Sequence, residues 1–358
     1  MIKVELTNEM VARLVAIERC QERFCGIRLP VRLSDKLRKR SRKRSSYASV
    51  KIEGNPLSED QASEAIDSSR RHFLKPEQEV RNYYAALEYL EGRLSAKAPF
   101  SKELVLGVQA IVVRGESREK RGFRGAMPPG VLFAVYDDAT GVPEYIPPAA
   151  DEVEGLVDEL VRYVAESDDH PILKAAVVHY QLVTIHPFED GNGRTARLMG
   201  DYVLDCAGYG FNRVGSLEEY FAYDIDEYYR SLQMGLPALY YDGRNNPPQP
   251  GIWMGYFLRM VELHAKKSVE YAAEVARGGA KDALAVAETH LNRKERAFYA
   301  YLRRGGIGEF RPVDLAARMK VTNRTIINWC SALAKVGLVV PESEGIRIRK
   351  WKVVPVPK

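Results

Sequence analysis

Apolar residues recur at helical spacing along most of the chain. Met10, Leu14, Ile17 and Phe24 form one stripe of a helix predicted over Thr7–Cys25. Ser34–Arg44 predicts a short helix with a strongly basic face, Lys36-Leu-Arg-Lys-Arg-Ser-Arg-Lys-Arg44. Such a run suits either a solvated face or a nucleic-acid contact. Ser58, followed by Glu59 and Asp60, marks a further helix start. Helical spacing continues through Glu77–Leu94 and Ser101–Val113, then fails between Gly122 and Ile146. That stretch is rich in Gly, Pro, Val, Phe and Tyr, and it predicts a β-hairpin turning at Asp137, Asp138 and Gly141. Pro147 and Pro148 end it, and helices resume at Asp151. Tyr271–His290 reads as an Ala-rich linker, helical in parts and broken at Gly278–Gly279.

From about Leu291 the pattern becomes that of a compact unit. Lys294–Leu302 and Pro312–Met319 predict two helices. A third begins with Thr322 or Asn323 as N-cap, carries Ile326, Cys330 and Leu333 on one face, and ends at Gly337 as C-cap. Pro341–Glu344 reads as a turn before a strand over Gly345–Val354. No internal repeat or low-complexity tract interrupts the chain.

At 358 residues there is room for two or three domains, and 46% hydrophobic with 28% charged residues is ordinary for a globular protein. Apolar runs such as Ala283–Ala287 are too short to cross a membrane, and the first residues lack the apolar core of a signal peptide. Cys20, Cys25, Cys206 and Cys330 have no metal-type spacing. They predict reduced thiols in a cytoplasmic protein with no membrane partner. Charge is uneven. Residues 291–358 hold 15 Lys+Arg against 5 Asp+Glu, or +10, and the remainder, 38 against 43, stands at −5. A polyanion is therefore the expected partner of the C-terminal unit.

The chemistry concentrates in His186-Pro-Phe-Glu-Asp-Gly-Asn-Gly-Arg-Thr-Ala-Arg197. Gly191, Asn192 and Gly193 precede an apolar helical pattern, so their backbone N–H groups can form an anion nest at a helix N-terminus. Arg194 and Arg197, three apart, share a face and suit a polyphosphate. Asp190 offers a hard oxygen of the kind magnesium takes beside phosphates, and His186 can serve as a general base. Gly191-x-Gly193-x-x-Ala196 also matches a dinucleotide fingerprint, with β-branched residues upstream in Val177–Ile185. However, five residues intervene where a strand should enter the glycines directly. A Walker loop is excluded, because no Gly-Lys-Ser/Thr follows. The plain alternative is a Gly-rich turn with solvated arginines and a packed histidine.

This loop resembles the complete signature of Fic-domain proteins, His-Pro-Phe-x-Asp-Gly-Asn-Gly-Arg-x-x-Arg. The likeness extends to His170-Pro171, His179–Ile185, Phe123-Arg124 with the hairpin, and Tyr228-Tyr229-Arg-Ser-Leu, roughly half of the chain. It implies a mainly α fold, a Fic-type helical core with a β-hairpin flap, and transfer of AMP from ATP to a protein hydroxyl. By the same resemblance His186 deprotonates the acceptor and Asp190 holds magnesium. Gly191, Asn192 and Gly193 bind the α- and β-phosphates, Arg194 and Arg197 hold the β- and γ-phosphates, and Phe188 anchors the loop. Tyr228 and Tyr229 either line the base pocket or pack the helices. Asp224-Ile225 stands where relatives often carry Asn-Arg, a departure that bears on the base pocket. Val131–Phe133 and Glu144–Ile146 are the expected edges of the flap, where a target segment would pair.

Ser49-Val-Lys-Ile-Glu53-Gly-Asn55 resembles the family's inhibitory motif. Ser49 and Glu53 lie four apart on one helix face. The resemblance implies that Glu53 pairs with Arg197 and withholds it from the γ-phosphate. The C-terminal unit resembles a small winged helix-turn-helix. Asn323, Arg324, Thr325 and Asn328 would then start the recognition helix, with Arg347, Arg349 and Lys350 in the wing. Its partner is DNA or a protein. The resulting domains are an N-terminal helical region 1–95, a catalytic core 96–270, a linker 271–290 and the winged helix 291–358. A protein substrate, including the chain itself, is implied, and a homodimer is allowed. Two other readings remain open: a DNA-binding regulator with a nucleotide-sensing core, and a hydrolase that removes AMP at the same site.

Overall fold

In the computed structural model, described for all residues except 1–4, 30, 116–119, 129, 132, 137–140, 237–248, 290, 336–337, 345–346 and 355–358, the chain divides into two compact units. Residues 1–27 and 31–272 make up the first; 28–30 and 273–358 make up the second.

The first unit opens with α1 (Asn8–Cys25), capped by the Thr7 hydroxyl, which accepts from the Met10 N–H at 3.2 Å. Helices α2 (Val31–Ile52), α3 (Glu59–Asp67), α4 (Lys75–Ser95) and α5 (Lys102–Val112) follow. Ser58 and Gln61 form the capping box that starts α3. The hairpin is short. β1 (Val135–Tyr136) pairs antiparallel with β2 (Pro143–Tyr145), in the register Val135 opposite Tyr145. Val131–Phe133, expected as an edge, therefore precedes the paired segment; Leu132 and the turn at Asp137–Asp138 lie outside the described residues. Then come α6 (Ala150–Glu166), α7 (Pro171–Ile185), α8 (Asn192–Cys206), α9 (Glu218–Tyr223), α10 (Ile225–Gln233) and α11 (Pro250–Thr289).

The helix α7 is buried on nearly all sides. Its Ala176 carbonyl accepts from the fully buried Trp253 indole of α11 at 2.9 Å. An apolar surround on every face is why α7 lacks the single stripe of a surface helix. Val177–Ile185 lies in this helix, so no strand leads into the glycines and the dinucleotide reading falls.

The basic stretch is not a short helix but the first half of the 22-residue α2. Its second half escapes a hydrophobic-period search because the inward face is largely small and polar. Ser41, Ser45, Ser46 and Ser49 are buried alongside Ala48 and Ile52. Ser41 Oγ, for example, donates to the Gly215 carbonyl at 2.6 Å. Small residues let α2 approach its neighbours closely, and the Ser41 and Ser46 hydroxyls find backbone partners. The expected break at Gly278–Gly279 is absent, since α11 runs unbroken to Thr289. Two glycines cost about 2 kcal/mol in a helix interior, which a long Ala-rich helix can absorb.

In the second unit, α12 (Arg293–Arg304), α13 (Pro312–Met319) and α14 (Asn323–Lys335) pack around Phe298, Leu302, Leu315, Ile326, Cys330 and Leu333. A three-stranded antiparallel sheet completes it. β3 (Glu309–Phe310) and β4 (Val339–Glu344) flank β5 (Arg347–Val353). Pro341–Glu344 is therefore strand rather than turn. Proline is tolerated because β4 is an edge strand, where a missing N–H need not break the ladder. Thr322 caps α14, its hydroxyl accepting from the Thr325 N–H at 3.2 Å. Gly337 lies outside the described residues. No helix among the described residues is long and apolar enough to cross a membrane.

Candidate active site

Residues 186–197 join two buried helices. The chain leaves α7 through His186, which takes a left-handed conformation (φ 48°), and enters α8 through Gly191 (φ 82°). The turn between them is closed from inside. The Asn192 side chain accepts from the Phe188 N–H at 2.9 Å and donates to the Phe188 carbonyl at 2.8 Å. Phe188 is fully buried and stacks on Phe123 at 5.9 Å. The Asn192 amide, expected on a phosphate, is thus engaged within the loop.

Two residues without an expected role also hold the loop. Arg124 donates from Nε to the His186 carbonyl and from its backbone N–H to the Pro187 carbonyl, at 2.8 and 2.9 Å. Gln109 is fully buried, and its Nε2 donates to the Asp190 carbonyl at 3.2 Å. A glutamine within the apolar run Leu104–Val113 is a readable signal, because a buried amide needs partners. Arg124 is readable only through the likeness that takes in Phe123-Arg124, which attaches no role to it.

His186 Nδ1 lies 3.3 Å from the Val183 carbonyl. Donation there fixes the proton on Nδ1 and leaves Nε2 as the basic nitrogen. Burial pushes the imidazole down to about 4, so it is neutral at physiological pH. Asp190 Oδ1 accepts from Arg194 at 2.7 Å and from the Gly191 N–H at 2.6 Å, while Oδ2 lies 3.7 Å from the Lys120 ammonium. Buried Arg194 Nε and Thr195 Oγ1 have no hydrogen-bond partner among the described residues. Unsatisfied donors at a helix start are suited to a ligand's oxygens.

Arg197 is 1% exposed. It donates to Ser49 Oγ at 2.8 Å, to the Ser49 carbonyl at 3.0 Å and to Glu53 Oε1 at 2.6 Å. Burial is the largest single influence and opposes the charged guanidinium, but Glu53 and the neighbouring Tyr228, Tyr83 and Tyr229 together outweigh it, so the pKa of Arg197 is raised. A Cβ on Gly193 would overlap Glu53 Oε1, which places that carboxylate against the first turn of α8. Glu53 thus sits where an anion would meet the helix N-terminus.

Tyr228 does not line an open base pocket. It is 1% exposed, and its hydroxyl meets His179 Nε2 at 2.9 Å and Arg197 at 3.4 Å. Tyr229 is half-exposed and donates to the Ile52 carbonyl at 3.3 Å. Asp224 caps α10 by accepting from the Glu227 N–H at 2.8 Å. In the second unit, Asn323, Arg324 and Asn328 are exposed, and Thr325 is half-buried. Arg347 and Arg349 lie in β5, and their side chains fall outside the described residues.

Gly191 is held by more than its φ. A Cβ there would come within 3.1 Å of both Val112 and Val113 methyls. Gly191→Ala is expected to destabilise the first unit by about 1–3 kcal/mol, read as a lower urea midpoint at unchanged slope.

The helical core and this loop place glycine N–H groups, two arginines and a carboxylate at the start of a buried helix. Residues 99–204 match the Fic/DOC family, and the chain contains a domain of that family. Over 177 residues it is 32% identical to a protein adenylyltransferase Fic from Culex quinquefasciatus. It is likewise 32% identical over 176 residues to protein adenylyltransferase fic-1 from Caenorhabditis briggsae. Each match covers 46% of this chain and 32% of the relative, so the chain spans about a third of the length of these relatives. Among solved structures, a Fic family protein from Desulfovibrio desulfuricans shares the fold at TM-score 0.59 and 19% identity. That likeness covers 100% of this chain and 99% of the other. Fic-1 from C. elegans aligns at TM-score 0.55 and 22% identity over 74% and 71%.

Proposed function

We infer that the chain transfers AMP from ATP to a hydroxyl of a protein, and that Glu53 holds this activity in check. The observation that carries the reading is the convergence of His186, Asp190, the first turn of α8, Arg194 and Arg197 on one loop, with Glu53 engaging the last of them. The match to proteins named protein adenylyltransferase supports it.

In this mechanism His186 Nε2 takes the proton of the acceptor hydroxyl. The oxygen attacks the α-phosphorus, the bond to the bridging oxygen breaks, and diphosphate leaves with that electron pair. Backbone N–H groups at the start of α8 and the unpartnered Arg194 Nε take the phosphate oxygens. Positioning and charge neutralisation do most of the work in such a transfer. Asp190 would hold magnesium, which supplies charge neutralisation on the phosphates. One partly exposed carboxylate suits an ion bound mainly through its substrate. Arg197 would reach the γ-phosphate only after Glu53 leaves it. Tyr228 and His179 set the position of Arg197 from behind, and Tyr229 is the better placed of the two tyrosines for the adenine side. The four free thiols accord with a reducing, cytoplasmic setting.

The test uses ATP labelled on the α-phosphate with wild type, Glu53→Gly and the double variant Glu53→Gly/His186→Ala. Label on protein should rise in the first variant and vanish in the second. Absence of label from all three, with ATP still bound, would reject transfer to the chain itself and favour hydrolysis or nucleotide sensing.

We read the second unit as a winged helix. Its exposed Asn323, Arg324 and Asn328 lie opposite the buried face of α14. That arrangement and the +10 charge support a DNA contact. Arg324→Ala should weaken binding to duplex DNA and lower the slope of log affinity against log salt by about 1, measured by fluorescence anisotropy. An unchanged slope would reject the contact and favour a protein partner.

A further inference from the structure

Most of the basic run in α2 is neutralised within the protein. Arg38 pairs with Asp35 at 2.6 Å, Arg42 with Glu88 at 2.9 Å, and Lys43 with Asp67. Those contacts make the run a scaffold element rather than a polyanion surface. Arg40 and Arg44, one helical turn apart, are placed differently. Both line a cavity of about 220 Å³ bounded by α2, α9 with the loop before it, and the His264–Tyr271 stretch of α11.

The wall of this cavity is positively biased. Arg40, Arg44 and Lys267 face a single carboxylate, Glu219. Glu219 holds Arg44 at 2.8 Å, and Lys267 pairs at 3.6 Å with Glu270 on the open surface. Arg40 meets the Tyr271 hydroxyl at 3.4 Å and no carboxylate among the described residues. Two buried donors in the same wall are unused. Ser268 is 2% exposed, and neither its Oγ nor Arg44 Nε has a hydrogen-bond partner among the described residues. Buried polar groups ordinarily have partners, so idle donors beside Arg40, whose charge no carboxylate among the described residues balances, point to an anionic ligand. Water would satisfy the hydroxyl alone, whereas an anionic oxygen would satisfy it and also balance Arg40.

We propose that this cavity binds the phosphoryl group of a small phosphorylated ligand. Arg40 and Arg44 grip its oxygens, Ser268 Oγ donates a further hydrogen bond, and Glu219 keeps Arg44 in place. The volume is below the roughly 300–1,000 Å³ of pockets for larger ligands, so a whole nucleotide is too big to be enclosed. The site shares no residue with the 186–197 loop. Arg44 and Glu53 are nine residues apart on and just beyond α2, about 13 Å along its axis.

Calorimetric titration of the full chain at low ionic strength tests this, with inorganic phosphate, inorganic diphosphate and glycerol 3-phosphate as probes. At least one should bind with an affinity that Arg40→Gln and Ser268→Ala each reduce by about tenfold or more. Arg194→Gln, in the loop, should leave that binding component in place. Arg40 is exposed, so its variant tests binding without disturbing the core. Equal affinity for all three probes supports recognition of the phosphoryl group alone. Tighter binding of glycerol 3-phosphate supports a phosphorylated metabolite. Failure of all three to bind at millimolar concentration, or binding that both cavity variants leave unchanged, overturns the proposal.

Discussion

Glu53→Gly is expected to raise AMP transfer about 5- to 150-fold, the range of a typical coupling between two bound states. Glu53 and a γ-phosphate compete for one guanidinium, and Arg197 is only 1% exposed while Glu53 holds it. The carboxylate also lies over Gly193, where it would meet incoming phosphates. Its side chain is 33% exposed, so it can swing outward without crossing the core. Loss of one partner from a buried pair leaves a charge uncompensated, at a cost of about 3–5 kcal/mol when both are fully enclosed. The Ser49 hydroxyl and carbonyl remain on Arg197, and Glu53 is partly solvated, so the loss here should be smaller. The variant should therefore melt below wild type, and magnesium with ATP should raise its midpoint by more than it raises that of wild type. Glu53→Gln should lie between, since it keeps an oxygen acceptor without the charge. Equal ATP shifts in wild type and Glu53→Gly would show that Glu53 does not compete with nucleotide.

His186→Ala, placed in the Glu53→Gly background, is expected to lower transfer by about a hundredfold to ten-thousandfold. The loop should keep its shape, because the bonds that close it come from Asn192, Arg124 and Gln109 rather than from the imidazole. Fold and nucleotide binding then report integrity while the rate reports the base. The pH dependence follows from burial, which holds His186 at about 4. The base form is full above that value and is lost only as pH falls through about 4, so this residue gives no activity limb between pH 6 and 8. The sign for stability is separate. A histidine with a depressed folded pKa takes up its proton more readily when unfolded. Its unfavourable effect on the fold therefore begins near pH 6.5 and grows as pH falls towards about 4. His264 is also held at about 4 by burial, and His179 is shifted in the same direction, so all three destabilise together on acidification. A rate limb near pH 6.5 that disappears with His186 would contradict an enclosed base.

Local rules made much of the chain legible. Thr7, Ser58 and Ser101 mark helix starts where the structure has them, because a capping hydroxyl acts on N–H groups only two or three residues away. The twelve-residue loop is readable for a related reason. Glycines, arginines and a carboxylate ahead of a helix carry their chemistry in the backbone of one turn. Ser49 and Glu53 are four apart on either reading, so their shared face was visible as well. The extent of α2 was less so, because its inward face is built from serines, which carry no hydrophobic period. The β4 strand was hidden by a proline that is harmless only at a sheet edge.

Relations between distant segments were decided by the tertiary structure, including the Glu53–Arg197 pair that the family resemblance implied. The placement of Glu53 on Arg197, 144 residues away, depends on α2 packing beside α8. Tyr228 became a buried prop for Arg197 because α10 turns it inward to His179, whereas its neighbour Tyr229 stayed half-exposed. Spacing alone fits both positions equally. The Asn192 amide was assigned to the loop interior because two buried backbone groups of Phe188 needed partners. Sequence determines which groups a short segment can offer, since their geometry is set within a turn or two. Which group meets which across the fold, and what remains open to a ligand, is settled only when burial forces every polar atom to find a partner.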